Sequence, residues 1–287
     1  MTTPRIAITG TTGRAGAALA ARLANLCPVI PLPRSALDLA HPRAMAETLA
    51  ELECDVMVNP AAVTSLEECL DHPQQAWRIN AEAPGELAAW SARNGVRLIH
   101  FSTDYVLDGA RPGLKAEDDP VAPLSDYARS KLAGEQAVLS HPGTCVLRVS
   151  WLFGPEKPSF IDQVRHQALR GEAIAAVADK FSLPTYTADL ADWVWALARS
   201  NATGVVHACN SGQPVSWHGI ARETLDLLHR AGALAQPPPL TAQALDAMPF
   251  RAPRPRHTAM ATHRLAAEFG IHTRPWQEAL ASYLASL

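Results

Sequence analysis

The chain has 287 residues, of which 48% are hydrophobic and 18% charged, with a formal net charge of −3. This is the composition of a globular protein with room for one large domain or two fused lobes; it excludes intrinsic disorder and argues against general nucleic-acid binding. Residues 5–9 read as a buried strand that runs into a glycine-rich turn and an Ala/Leu-rich helix over about 15–25. A second short strand is expected at 28–32, a helix at 42–52, a strand at 55–59, a long helical stretch at 74–94, a strand at 97–102, a helix at 126–139 and a strand at 145–149. Such alternation predicts a doubly wound parallel sheet with helices on both faces. Beyond Trp151 the pattern loosens. Helices are expected at 159–170, 188–199 and 217–231, and short strands at 173–177 and 205–208. The proline-rich stretch from Gln236 through Pro255 then reads as extended or looped chain, because proline removes donors and blocks helix. Helices near 262–269 and 275–284 close the chain. No internal repeat is present.

Five cysteines, Cys27, Cys54, Cys69, Cys145 and Cys209, are far apart, odd in number and free of any CxxC pair. Neither a disulfide framework nor a zinc site is expected, and a reducing compartment is. The opening residues lead straight into Ile6-Ala7-Ile8, too brief for a secretory h-region, and no run approaches membrane length, so the expected location is cytoplasmic.

Two motifs carry chemistry. Gly10-Thr11-Thr12-Gly13-Arg14-Ala15-Gly16 places glycines in the pattern GxxGxxG between a predicted strand and a predicted helix. There the backbone can approach a pyrophosphate closely, and the helix N-terminus offers free N–H groups and a positive dipole end. The bland alternative is a structural turn. After the second strand comes Arg34, with no acid directly at the strand end; it meets either a 2′-phosphate, favouring NADPH over NADH, or solvent. Asp38 and Leu39, just beyond, are within reach of an adenine. The second motif is Tyr127 and Lys131, four residues apart and so on one face of the 126–139 helix. An ammonium beside a phenol lowers its pKa and makes it a proton donor to a carbonyl oxygen, unless the two are simply surface residues of an amphipathic helix. His100 reads as a satisfied core or cofactor-lining residue, and the other histidines show no ligand spacing.

Taken together, the glycine loop, Phe101-Ser102-Thr103-Asp104-Tyr105-Val106-Leu107-Asp108-Gly109, Tyr127-Ala128-Arg129-Ser130-Lys131 and Arg148-Val149-Ser150-Trp151-Leu152-Phe153-Gly154 resemble the dTDP-4-dehydrorhamnose reductase family of the extended short-chain dehydrogenase/reductases. Val58-Asn59-Pro60-Ala61-Ala62-Val63-Thr64 is similar to that family's loop after the third strand. The resemblance spans nearly the whole chain and is most specific over 98–154. It implies a Rossmann domain (1–150 with about 187–210) and a smaller, largely C-terminal substrate-binding lobe (about 151–186 and 211–287). It implies NAD(P)H-dependent reduction of the 4-keto group of a nucleotide-linked deoxysugar. Tyr127, Lys131 and Thr103 are then catalytic. Gly10, Thr12, Gly13, Arg14, Ala15, Gly16, Arg34, Asp38, Leu39, Ala62, Val63, Thr64, Phe101 and Lys131 are cofactor-binding. Thr103, Asp104, Tyr127 and Trp151 face the substrate, and Arg251-Ala252-Pro253-Arg254-Pro255-Arg256 either binds its diphosphate or is a solvated basic run.

Departures narrow this reading. The glutamates that bridge a metal in some members are replaced at Ala17-Ala18 and before Thr187-Ala188, so no magnesium and no metal-bridged dimer are expected; a homodimer of another kind stays open. The acid usual after Thr64 gives way to Leu66-Glu67-Glu68. Tyr105 stands where a related dehydratase carries a glutamate, which removes the group that eliminates water. An epimerase, another ketoreductase, or a non-catalytic NADP-binding subunit of the kind that regulates methionine adenosyltransferase remain the alternatives. The intact Thr103, Tyr127 and Lys131 favour an enzyme.

Overall fold

The computed structural model describes residues 3–287. Its centre is a sheet of six strands: β1 (Ile6–Thr9), β2 (Val29–Leu32), β3 (Val56–Asn59), β4 (Arg97–Thr103), β5 (Thr144–Val149) and, after four short strands, β10 (Gly204–Ala208). The spatial order is β10-β5-β4-β3-β1-β2, and every pairing is parallel. β1 and β3 are buried along their whole length, which explains their unbroken apolar runs: a parallel strand covered on both faces has no side to turn to water. On one face lie α1 (Arg14–Leu23), α8 (Thr187–Ala198) and α10 (His263–Phe269), packed through Leu19, Leu190, Val194 and Leu265. On the other lie α2 (Pro42–Ala50), α5 (Ala83–Asn94) and α6 (Asp126–Leu139), packed through Met45, Leu87, Trp90 and Val138. β2 and β3 leave β1 in opposite directions, so the order reverses at β1, and a crevice opens beyond its carboxyl end.

The remaining chain builds further cores around paired short strands: β6 (Leu152–Phe153) with β9 (Thr185–Tyr186), β7 (Ile174–Val177) with β12 (Leu240–Gln243), and β8 (Phe181–Ser182) with β11 (Val215–Ser216). Against them pack α7 (Phe160–Leu169), α9 (Trp217–Arg230) and α11 (Trp276–Ala285), through Ile161, Ile220, Leu225 and Leu280. No helix among the described residues is long and apolar enough to cross a membrane. Cys27, Cys69, Cys145 and Cys209 are buried free thiols, and Cys54 is half-buried.

The expected elements are present, with ends shifted by a residue or two; the two-residue strands β6, β8, β9 and β11 were not expected, and three larger points differ. The stretch at 74–94 is not one regular helix: α4 (Pro73–Trp77) passes into a π-helical turn (Arg78–Glu82) and then α5. Pro84 has no N–H for the Asn80 carbonyl one turn back, so the turn widens there. That carbonyl faces Gly134 of α6, where a Cβ would lie 2.1 Å from it. A short helix, α3 (Leu66–Asp71), was not expected; its Ser65 hydroxyl accepts the Glu68 N–H as an N-cap. Within the proline-rich stretch, four residues are not loop but β12, which pairs parallel with β7.

Candidate active site

The crevice holds a cavity of about 640 Å³. Its floor is the glycine loop. Gly10, at φ 57°, turns the chain off β1, and its N–H is held by the Leu32 carbonyl at 2.8 Å. The Gly13 N–H returns to the Gly10 carbonyl at 2.8 Å, and a Cβ on Gly16 would sit 2.3 Å from that same oxygen. The loop is therefore as tight as backbone allows. α1 then begins with no side-chain cap, which leaves its first N–H groups free at the cavity edge.

Gly10, Thr12, Gly13, Arg14, Ala15, Gly16, Arg34, Asp38, Leu39, Ala62, Val63, Thr64, Phe101 and Lys131 all line this cavity, as do Thr103, Tyr127 and Trp151. Arg34 is mostly exposed and pairs with Asp38 at 3.3 Å, so the basic and acidic groups beyond β2 meet at one rim. Hydrogen bonds from the Ala40 N–H and Arg34, together with the Arg34 charge, outweigh desolvation and hold the Asp38 carboxyl below its usual range. Arg14 also does something unforeseen: its guanidinium donates to the Lys157 and Pro158 carbonyls, tying the glycine loop to the segment after β6.

Thr103 ends β4, and Tyr127 and Lys131 lie one turn apart on α6; all three are buried. The arrangement departs from the simple ammonium-beside-phenol picture. Lys131 Nζ donates to the Phe101 carbonyl at 2.6 Å and stands 3.5 Å from His100 Nε2. Burial pushes the Tyr127 phenol above its ordinary value, and it is Thr103, not Lys131, that chiefly opposes the rise. The Lys131 ammonium points to the strand carbonyl instead. Burial lowers its own pKa to about 8. His100 is fully buried, does not line the cavity and is held neutral by desolvation and by Lys131. It completes a polar relay beneath the glycine loop: the Thr9 hydroxyl donates to Asn59 at 2.6 Å, Asn59 meets His100 at 3.1 Å, and His100 meets Lys131.

Asp104 is buried beyond the cavity lining. It accepts from the hydroxyls of Thr103 (3.1 Å), Ser150 (2.9 Å) and Thr258 (2.5 Å), while desolvation raises its pKa. Trp151 takes a φ of 40°, strained for a bulky side chain, and its ring packs against Phe160 and Trp217. The basic stretch is neither free nor simply solvated. Arg251 pairs with Asp71, Arg254 with Glu67, and Arg256 with Asp179 and Asp246. Sequence reasoning missed Pro60, Ala61, Ser65, Glu68, Ile79, Ser102, Val149 and Lys157 in the wall. Most of these adjoin positions that were expected, but Glu68 and Ile79 come from α3 and the π turn, where only packing brings them in.

A glycine-rich turn at the switch point of a doubly wound parallel sheet, with a buried Tyr–Lys pair and a strand-end Thr facing the same cavity, defines a short-chain dehydrogenase/reductase. Residues 4–287 match the family described as the RmlD substrate binding domain. The dTDP-4-dehydrorhamnose reductase of Burkholderia thailandensis is 34% identical over 96% of this chain and 96% of that protein. A probable dTDP-4,6-dihydroxy-2-methyloxan-3-one 4-ketoreductase of Streptomyces antibioticus is 38% identical over 95% of this chain and 92% of that protein. The dTDP-4-dehydrorhamnose reductase of Bacillus anthracis, solved in complex with NADP, superposes with a TM-score of 0.91 at 27% identity, covering 100% of both chains. The chain belongs to the dTDP-4-dehydrorhamnose reductase family.

Proposed function

We propose that this protein reduces the 4-keto group of a nucleotide-linked deoxysugar with NADPH, NADH being a second donor, and that its substrate is dTDP-4-dehydro-L-rhamnose or a near relative. The observation that carries this is the convergence of Thr103, Tyr127 and Lys131 on the cavity that the glycine loop floors. The residues present fit a dinucleotide. The α1 N-terminus is uncapped, Arg34 stands at the rim where a 2′-phosphate would be read, and the buried Ser102 hydroxyl in the cavity wall lacks a protein partner. When bound, the nicotinamide supplies the hydride.

The chain supplies the rest. Thr103 and Tyr127 hold the ketone oxygen, and Tyr127 hands it the phenolic proton as negative charge develops. A phenol whose pKa burial has raised stays protonated at neutral pH, and an alkoxide is the stronger base; the site therefore suits reduction. Lys131, fixed by Phe101 and His100, presents a positive charge to the cofactor's ribose. Residues 1–150 with about 187–210 bind the dinucleotide, and about 151–186 with 211–287 close over the sugar nucleotide, with Asp104 and Trp151 on the substrate side. The test is a panel of dTDP-, GDP- and UDP-linked 4-keto sugars assayed with NADPH and NADH. Loss of nicotinamide absorbance with a dTDP sugar is expected. Cofactor binding with no oxidation by any sugar would sink the reductase reading in favour of a regulatory subunit.

A further inference from the structure

Four basic residues line the cavity: Arg14, Arg34, Lys131 and Lys157. Three are already engaged. The Arg14 guanidinium donates to the Lys157 and Pro158 carbonyls, Arg34 pairs with Asp38, and Lys131 donates to the Phe101 carbonyl. Lys157 is exposed, and its ammonium has neither a hydrogen-bond nor an ion-pair partner among the described residues. The acids closest to it in the chain are occupied. Glu156 accepts the Thr187 hydroxyl at 3.0 Å, and Asp162 accepts the hydroxyls of Ser159 at 2.7 Å and Tyr283 at 2.6 Å.

The backbone that carries Lys157 is fixed from both sides. Before it, Gly154 packs so closely that a Cβ there would lie 1.9 Å from the Thr187 hydroxyl. After it, the Ser159 N–H donates to Asp162 at 2.6 Å and starts α7. Between these anchors, Arg14 holds two successive carbonyls against the glycine loop. Lys157 therefore stands at the cavity edge next to the loop, with only its side chain free to turn. The charge balance there is incomplete. The uncapped start of α1 offers about half an elementary charge, whereas a dinucleotide carries a full negative charge on each phosphate of its pyrophosphate. The glycine loop has a cation of its own in Arg14, but that guanidinium is spent on the carbonyls across the crevice.

We propose that Lys157 binds the pyrophosphate of the cofactor from the chain beyond β6. The two basic residues then form a clasp: Arg14 reaches out of the glycine loop to hold the Lys157 backbone, and the Lys157 ammonium reaches back to the anion that the loop cradles. Lys157 raises affinity for NADPH and NADH alike, because the pyrophosphate is common to both and the 2′-phosphate is read separately at Arg34. This rests on the dinucleotide reading of the cavity.

The experiment titrates NADPH and NADH by fluorescence, and dTDP by calorimetry, against the wild type, Lys157→Met and Lys157→Arg, with thermal melting of the cofactor-free proteins. Lys157→Met is expected to weaken both dinucleotides by the same factor, roughly 5–30-fold at low salt and less as salt rises, with dTDP affinity and melting point unchanged. Lys157→Arg should keep most of the affinity, since a guanidinium also pairs with phosphate. Equal dinucleotide affinity of Lys157→Met and wild type overturns the proposal. So does a loss confined to NADPH, which would place the ammonium at the 2′-phosphate, or a loss confined to dTDP, which would place it at the substrate's diphosphate. A lowered melting point that accompanies the loss makes the role structural and overturns it too. A wild type that binds neither dinucleotide overturns the dinucleotide reading, and this proposal with it.

Discussion

Tyr127 and Lys131 share one helical face, but their surroundings give them different work. Tyr127 is buried against Cys69 and Ala76 and keeps its proton; Lys131 is drawn under the cofactor floor by Phe101 and His100. Tyr127→Phe removes the proton donor without altering the glycine loop. Turnover should fall by ~10²–10⁴ with NADPH affinity unchanged, as read by steady-state kinetics and fluorescence titration. For Lys131 the sign follows from its lowered pKa. Between about 8 and the ordinary 10.5 the folded protein without cofactor binds fewer protons than the unfolded chain. The cost of burying the charge is thus full below about 8 and fades as the pH rises toward 10.5. Lys131→Met should abolish turnover and yet raise stability by about 1–2 kcal/mol, the relieved desolvation less the lost bond to Phe101. It should also remove the weakening of NADPH binding expected of the wild type as pH rises through about 8. A lowered denaturation midpoint at pH 7 would contradict this account.

At the scale of elements, α6 is held at both ends of its buried face. Gly134 lets the Asn80 carbonyl of the π turn approach, and the Asn80 side chain bonds both the Val63 backbone and Ser130, so the loop after β3 and the Tyr127 helix are set by one residue. Below it, Glu135 grips Arg148 of β5 through two bonds of 2.9 and 2.8 Å, both side chains nearly sealed from water. Breaking such a pair strands a buried guanidinium, so Glu135→Ala should cost about 3–5 kcal/mol, seen as a melting point lowered by several degrees. α6 was readable as a helix over 126–139; its cap, the Ser125 hydroxyl that accepts the Ala128 N–H, was not among the expected features. The π turn was not, since a single proline in a helical pattern reads only as a break. α3 was readable in principle from Ser65-x-x-Glu68, but its six residues carry too little periodicity to stand out.

Across the whole molecule, the glycine loop and the chain beyond β6 are joined by Arg14, whose guanidinium satisfies carbonyls at Lys157 and Pro158. Arg14→Met should leave those carbonyls unpaired and loosen 154–158 over the cavity. Limited proteolysis is expected to cut there faster than in the wild type, with NADPH protecting both. Arg274 makes a comparable long-range tie, bonding Asp189 on α8 from just before α11.

The doubly wound sheet, the glycine turn and the Tyr127–Lys131 pair could be read from the chain alone because each is encoded locally: unbroken apolar runs for two-sided strands, glycines where backbone crowds backbone, and helical spacing for shared faces; Thr103 entered only through the family resemblance. Where the charges point was decided only when distant segments met. Lys131 turned to a strand carbonyl, Arg14 crossed to residues 157 and 158, and the arginines at 251–256 found acids at 67, 71, 179 and 246. A flexible charged side chain takes its position from the low-dielectric surroundings it enters, and those surroundings are assembled from residues that sequence spacing does not connect.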